Sequence, residues 1–172
     1  MSKVTNFYAM FYYCSGLEYL NLSNFKTVNA VNMQRMFEEC GKLTSLIVSN
    51  FNTLKVINMA HMFRKCQSLT SLDLSSFYTP QLENMNYMFD GNHNSQFLDL
   101  SNFDTSNVNM EATFADCYSL TYINLKNSVL NSEVVTTSIF ESVSSDLAIC
   151  INDEKWNNVF GGYDIDIIVI IQ

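Results

Sequence analysis

Residues 69–89, LTSLDLSSFYTPQLENMNYMF, decide the fold, because they recur along the chain at a fixed interval. Phe89 in this stretch belongs to a column of Phe11, Phe37, Phe63, Phe89, Phe114 and Phe140, spaced 26, 26, 26, 25 and 26 residues apart. Met10, Met36, Met62 and Met88 precede the first four. Phe77 belongs to a second column with Phe25, Phe51 and Phe103, and Thr79 to a third with Thr27, Thr53 and Thr105. Asn6, Asn32, Asn58, Asn84 and Asn109 follow the same shifts, including the single deletion after Asn84. A period between 20 and 50 residues governs the whole architecture. The unit reads L-x-x-L-x-L-S-x-F-x-T-x-x-V-x-N-M-x-x-M-F-x-x-C.

Each unit has two halves. Leu20 and Leu22, Leu46 and Val48, Leu72 and Leu74, Leu98 and Leu100, and Ile123 and Leu125 alternate with polar residues, the pattern of a strand with one buried face. Short parallel strands are predicted at 19–22, 45–48, 71–74, 97–100, 122–125 and 148–151. Met33, Met36, Phe37 and Cys40 then fall at i, i+3, i+4 and i+7, the stripe of a two-turn amphipathic helix with Asn32 as its N-cap. Met59, Met62, Phe63 and Cys66 repeat it. Glu38, Glu39, Arg64 and Lys65 lie off the stripe and are expected to be solvated. One such unit cannot bury enough surface to fold alone, so neighbouring coils must stack. The expected fold is α/β: a right-handed solenoid of about five coils over residues 1–151, with one short parallel strand and one short helix per 26-residue coil. Residues 152–172, ending in DIDIIVIIQ, are read as a carboxyl-terminal cap. At the other end Val4, Asn6, Met10, Phe11 and Cys14 are already in register, so an earlier coil is expected to precede them.

The segments LEYLNLSNFKT, LTSLIVSNFNT and FLDLSNFDTSNVNM, with the N-M-x-x-M-F-x-x-C half, resemble the BspA-like leucine-rich repeats of microbial surface proteins. The resemblance runs from Val4 to about Ile151. It implies a curved leucine-rich-repeat solenoid at the cell surface or secreted, adhering to host proteins or other cells, and it implies no catalytic residues. Three positions depart from the pattern: Asn92 and Val143 where Cys is expected, and Ser95 where the first Leu is expected.

Composition narrows the function further. Nine Lys plus Arg against 17 Asp plus Glu leave a net charge of −8, which repels phosphate backbones and argues against nucleic acid. The longest apolar run, Ile167 to Ile171, is too short to span a membrane, so no membrane insertion is expected. No secretory signal is present in the chain, which keeps a cytoplasmic location as the alternative to the cell surface. No G-x-S-x-G, H-E-x-x-H or phosphate-cradling glycine loop occurs, and the chain is read as neither an enzyme nor a cofactor-binding protein.

Cys14, Cys40, Cys66 and Cys117 lack C-x-x-C spacing and read as reduced residues of the buried stripe, whereas Cys150, out of phase with Ile149 and Ile151, is the candidate exposed thiol. His61 and His93 have no convergent partners and read as solvated. Asp73 and Asp99 sit one coil apart but fall short of the six to eight oxygens calcium needs. Strand alternation instead turns Tyr19, Asn21, Ile47, Asp73, Phe97, Asp99, Tyr122 and Asn124 away from the core. Packing does not dictate these side chains, so this column is the candidate protein-binding face, for a host or microbial protein. A structural stalk or spacer, or an intracellular interaction scaffold, is the alternative function, and the oligomeric state is left open.

Overall fold

The computed structural model describes residues 3–131, 134–152, 154–161, 163 and 168–170. The chain is a repeat protein of short parallel strands about 26 residues apart, joined by ladders of stacked aromatic rings. Strands β1 (Tyr19–Asn21) and β2 (Ser45–Ile47) form one sheet. A second contains β3 (Phe97–Asp99), β4 (Tyr122–Asn124), β5 (Ala148–Cys150) and β6 (Ile168–Ile170) in sequence order. All pairs are parallel and register one unit on the next: Leu20 faces Leu46, Leu98 faces Ile123, Ile123 faces Ile149, and Ile149 faces Val169.

Five of the six expected strands form, and the one expected at 71–74 does not. Leu74 is still buried there. Side-chain bonds tie this unit to both neighbours, as Thr44 to Glu18 and Asn127 to Ser101 do beside the paired strands. The Ser68 and Ser76 hydroxyls donate to the carbonyls of Gly41 and Val48, while Asn94 Nδ2 and the Ser95 hydroxyl donate to those of Gln67 and Leu69. Ser95 is one of the departures from the repeat.

The second half of each unit is not a helix. Among the described residues the only α-helix is α1 (Asn157–Phe160), which follows a 3₁₀ turn at Glu154–Trp156. The i, i+3, i+4, i+7 stripe comes instead from consecutive β-turns. Met36 N–H bonds Met33 O, Glu38 N–H bonds Arg35 O, and Cys40 N–H bonds Phe37 O. Arg35 (φ 59°) and Glu39 (φ 62°) take the left-handed conformation at the third position of their turns, as a type II turn requires. The intervening amides cross to the next unit: Met33, Arg35, Phe37 and Glu39 donate to Asn58, Ala60, Met62 and Arg64 at 2.9 Å each. Spacing explains the outcome. Packed helices lie 8–10 Å apart, whereas the rings of this half repeat every 5.5–5.8 Å through Phe11, Phe37, Phe63, Phe89, Phe114 and Phe140. A flat run of turns matches the strand spacing of about 4.8 Å, whereas helices would splay this side of the stack and curve it.

The crossing bonds continue through every unit. Phe7, Met33, Met59, Met85 and Met110 donate to Asn32, Asn58, Asn84, Asn109 and Val135, and three further rows run beside them, beginning at Ala9, Phe11 and Tyr13. The result is four unbroken chains of hydrogen-bonded peptides along the stack. Asn6, Asn32, Asn58, Asn84 and Asn109 pair as parallel bridges, and each side-chain oxygen accepts the N–H two residues on, closing the first turn at 2.9–3.0 Å. The expected cap is present, over a turn rather than a helix. Thr27 and Thr53 are buried; their hydroxyls donate to Asn52 O and Tyr78 O and accept the N–H of the same residues.

The core lies between the strand and turn sides. Its second aromatic ladder, Phe25, Phe51, Phe77 and Phe103, repeats at 6.1–6.3 Å. At the carboxyl end Phe160 and Tyr163 pack on Phe140, and Trp156 is fully buried against Phe160. Of the proposed cap, residues 153, 162, 164–167 and 171–172 lie outside the described residues.

Candidate functional site

The strand side presents the residues that alternation sends outward. Tyr19 and Phe97 are 56% and 52% exposed, Asn21, Asp73 and Asp99 are exposed, and Ile47, Tyr122 and Asn124 are half-buried. Register stacks Phe97 on Tyr122, their rings 5.2 Å apart and 4° from parallel. Asn21, Asp73, Asp99 and Asn124 share one geometry. Each Oδ1 accepts the N–H two residues on, from Ser23, Ser75, Ser101 and Lys126, at 2.9–3.1 Å. These bonds fix the side chain. Bonds from the Ser75 hydroxyl and amide hold the Asp73 carboxyl below the usual range.

Cys150 is not exposed: it is 3% accessible, against the expectation of a surface thiol. It lies in β5 between β4 and β6, where Asn124 and Ile170 flank it, and the Tyr122 hydroxyl meets its sulfur. All five cysteines are free. Cys40, Cys66 and Cys117 are buried, and their thiols donate to the carbonyls of Phe11, Phe37 and Phe89 at 3.1–3.2 Å. Burial pushes Cys40 up to about 11 and Cys117 to about 12, and raises Cys66 as well. Such thiols are poor nucleophiles.

The turn side holds a charged cluster that the helical phasing hides. Glu38, expected to be solvated, is 1% exposed. Arg64 bonds it through Nη1 at 3.2 Å and bonds Asp90 through Nε at 2.6 Å. Arg35 reaches the other Glu38 oxygen at 3.4 Å, and His61 Nδ1 lies 3.6 Å from Oε1. His61 is half-buried rather than solvated and stacks on Tyr87 at 5.1 Å, while Arg64 lies over the same Tyr87 ring. Burial lowers the His61 pKa despite Glu38. Lys65 pairs with Glu39 at 3.7 Å, half-buried on both sides. His93 also lies half-buried, its ring 5.0 Å from that of Tyr118. The signal was in the sequence: Glu38, Arg64 and Asp90 occupy one column at 26-residue spacing, with alternating charge. The arrangement matches charges between layers, so it is a fastening of the stack.

Among the described residues no group of three or more His, Cys, Asp or Glu is placed to hold a metal ion, and no helix is long and apolar enough to cross a membrane. A family model described as "Mycoplasma protein of unknown function, DUF285" matches residues 1–98 and again 45–149, and these matches together take in well over half of the chain. No curated protein and no solved structure matches it.

Proposed function

The chain belongs to the DUF285 family, and from that premise we propose that it is a noncatalytic protein-binding repeat protein that presents its strand face to a host or microbial protein. The observation that carries this reading is the stacked Phe97–Tyr122 pair. Phe97 stays half in water at a position where the core demands nothing, beside fixed polar side chains. Aromatic anchors among hydrogen-bonding groups are what protein interfaces concentrate at their centres. The BspA-like resemblance of the repeats supports a right-handed solenoid with leucine-rich strands, placed at the cell surface in adhesion. The 26-residue parallel register and the continuous ladders agree with that architecture.

The test is adhesion of labelled protein to cultured animal cells and to immobilised extracellular proteins. The comparison is wild type against a Phe97→Ala, Asp99→Ala, Tyr122→Ala triple variant. The three side chains face away from the core, so the triple variant should keep the fold and lose most of the binding. A Glu39→Gln, Lys65→Gln variant on the turn side should bind as wild type does. If wild type adheres to nothing and sediments as ordered head-to-tail oligomers, the stalk reading replaces this one.

A further inference from the structure

The outward column on the strand side runs Tyr19, Ser45, Ser71, Phe97, Tyr122, one residue per layer. Its aromatic part stops abruptly. One face of Phe97 is covered by Tyr122 at 5.2 Å, and by the 26-residue repeat the adjoining layer on its other side carries the exposed Ser71 at this position. Although residues 71–74 form no strand, bonds from Ser76 to Val48, Ser95 to Leu69 and Asn102 to Ser75 keep this unit in register with both neighbours. Ser71 in place of a ring therefore breaks the aromatic column at this layer, and that break is the gap beside the exposed Phe97. Asp73, two residues beyond Ser71, shares the face at that layer, and Asp99, two beyond Phe97, shares it at the next.

Charge and shape specify what fills the gap. The twelve outward strand positions, 19, 21, 45, 47, 71, 73, 97, 99, 122, 124, 148 and 150, carry two acids and no base, in a chain of net charge −8. Both acids are exposed and preorganised, with Oδ1 held by the amide two residues on. A flat cation one layer thick would lie against the face of Phe97 not covered by Tyr122, at the layer that carries Asp73. Guanidinium has that thickness, stacks on aromatic faces and matches a carboxylate with two parallel N–H donors, whereas an ammonium is a hydrated point charge without a plane.

We propose that the gap over Ser71 receives an arginine side chain of the protein partner, its guanidinium stacked on Phe97 and paired with Asp73 and Asp99. The inference rests on the reading of this face as protein-binding and names the chemistry of the partner.

The probes are three peptides, acetyl-Gly-Arg-Gly-amide and its lysine and citrulline counterparts, titrated to about 10 mM at low salt into ¹⁵N-labelled protein, the range in which one stacked ion pair registers. The arginine peptide should shift the amide signals of Ser71, Asp73 and Asp99, the lysine peptide should bind roughly three- to tenfold more weakly, and uncharged citrulline should leave the signals in place. Ser71→Phe, which extends the aromatic column by one layer, and Asp73→Asn should each remove the arginine response while the rest of the spectrum stays folded. Equal binding of arginine and lysine, an unchanged titration in Ser71→Phe, or no response at Ser71 overturns the proposal. The two readings separate cleanly. If the triple variant loses adhesion and Ser71→Phe keeps it, the face binds protein without the arginine slot.

Discussion

Arg64 Nε donates to Asp90 Oδ2 at 2.6 Å across the boundary between two repeats. The same guanidinium is the partner of Glu38 in the repeat before. Sequence position beside the core residue Phe63 makes Arg64 look like a surface residue whose loss costs little. With Glu38 almost wholly inaccessible, truncating Arg64 leaves a buried carboxylate facing an arginine at 3.4 Å and a half-buried histidine at 3.6 Å. Removing one partner of a buried pair is far costlier than replacing both.

Arg64→Ala is therefore expected to lower stability by about 2–4 kcal/mol in urea unfolding. The figure sits near the lower end for buried pairs because the arginine itself is partly exposed. Adding Glu38→Met to Arg64→Ala should recover part of the loss, since the orphaned charge goes with it. Strictly additive effects of the two substitutions would show that the pair does not act as a unit.

The left-handed residues separate turns from helices. Ala9 (φ 52°) and Ser142 (φ 56°) occupy that region without being glycine. Glycine in a helix interior costs about 1 kcal/mol relative to alanine, whereas at positive φ it relieves strain of about 1–2 kcal/mol that a Cβ imposes, offset by its greater freedom when unfolded. Ala9→Gly and Ser142→Gly are expected to leave the melting temperature unchanged or raise it. A fall corresponding to about 1 kcal/mol at both sites would restore the helix.

The strand positions and the aromatic columns were legible because each is set by burial, which alternation reports directly. Helix and stacked turns were not separable that way: Met33, Met36, Phe37 and Cys40 face inward in either conformation, since a four-residue turn repeat nearly matches a 3.6-residue helix. The distinguishing facts, a neighbour about 5 Å away and amides that cross to it, belong to the stack rather than to any one segment. Glu38, Arg64 and Asp90 were missed for the same reason. Their partners are 26 residues away, and only reading down the column brings them together. Cys150 misled because alternation assumes that one face of the last strand stays open, and β6 and Tyr122 close around it.

The thiols should respond accordingly. Cys14, half-buried in the first repeat, is expected to alkylate first in the native protein at neutral pH, with Cys40, Cys66, Cys117 and Cys150 reacting only after denaturation. Folding raises the Cys40 and Cys117 pKa values from 9.0 to about 11 and about 12. The folded state then holds protons that the unfolded chain releases. Stability from these groups is intact below pH 9 and falls as pH rises from there through 11 and 12. Peptide mapping after brief iodoacetamide treatment checks the order, and urea midpoints measured on either side of pH 9 check the direction. Rapid native labelling of Cys66 would contradict its burial.

Amide exchange tests the four chains of peptides most directly. In a helix every interior amide is bonded within its own segment, so protection runs through consecutive residues. In the stacked turns Met59, His61, Phe63 and Lys65 donate to the next repeat at 2.8–3.0 Å, while Ala60 donates only to the side chain of Asn58. Met62, Arg64 and Cys66 close short local turns at 3.1–3.2 Å. Opening a local turn needs no separation of repeats, whereas freeing His61 or Phe63 requires parting two layers along all four chains. Exchange at residues 59–66 should therefore alternate, slow at odd positions and faster at even ones, and the odd amides should share one opening free energy close to that of global unfolding. The contrast is expected to be sharpest between Ala60 and His61, where a bond to a side chain sits next to a bond between layers. Uniform protection across residues 59–66 would fit a helix and reject the stacked turns.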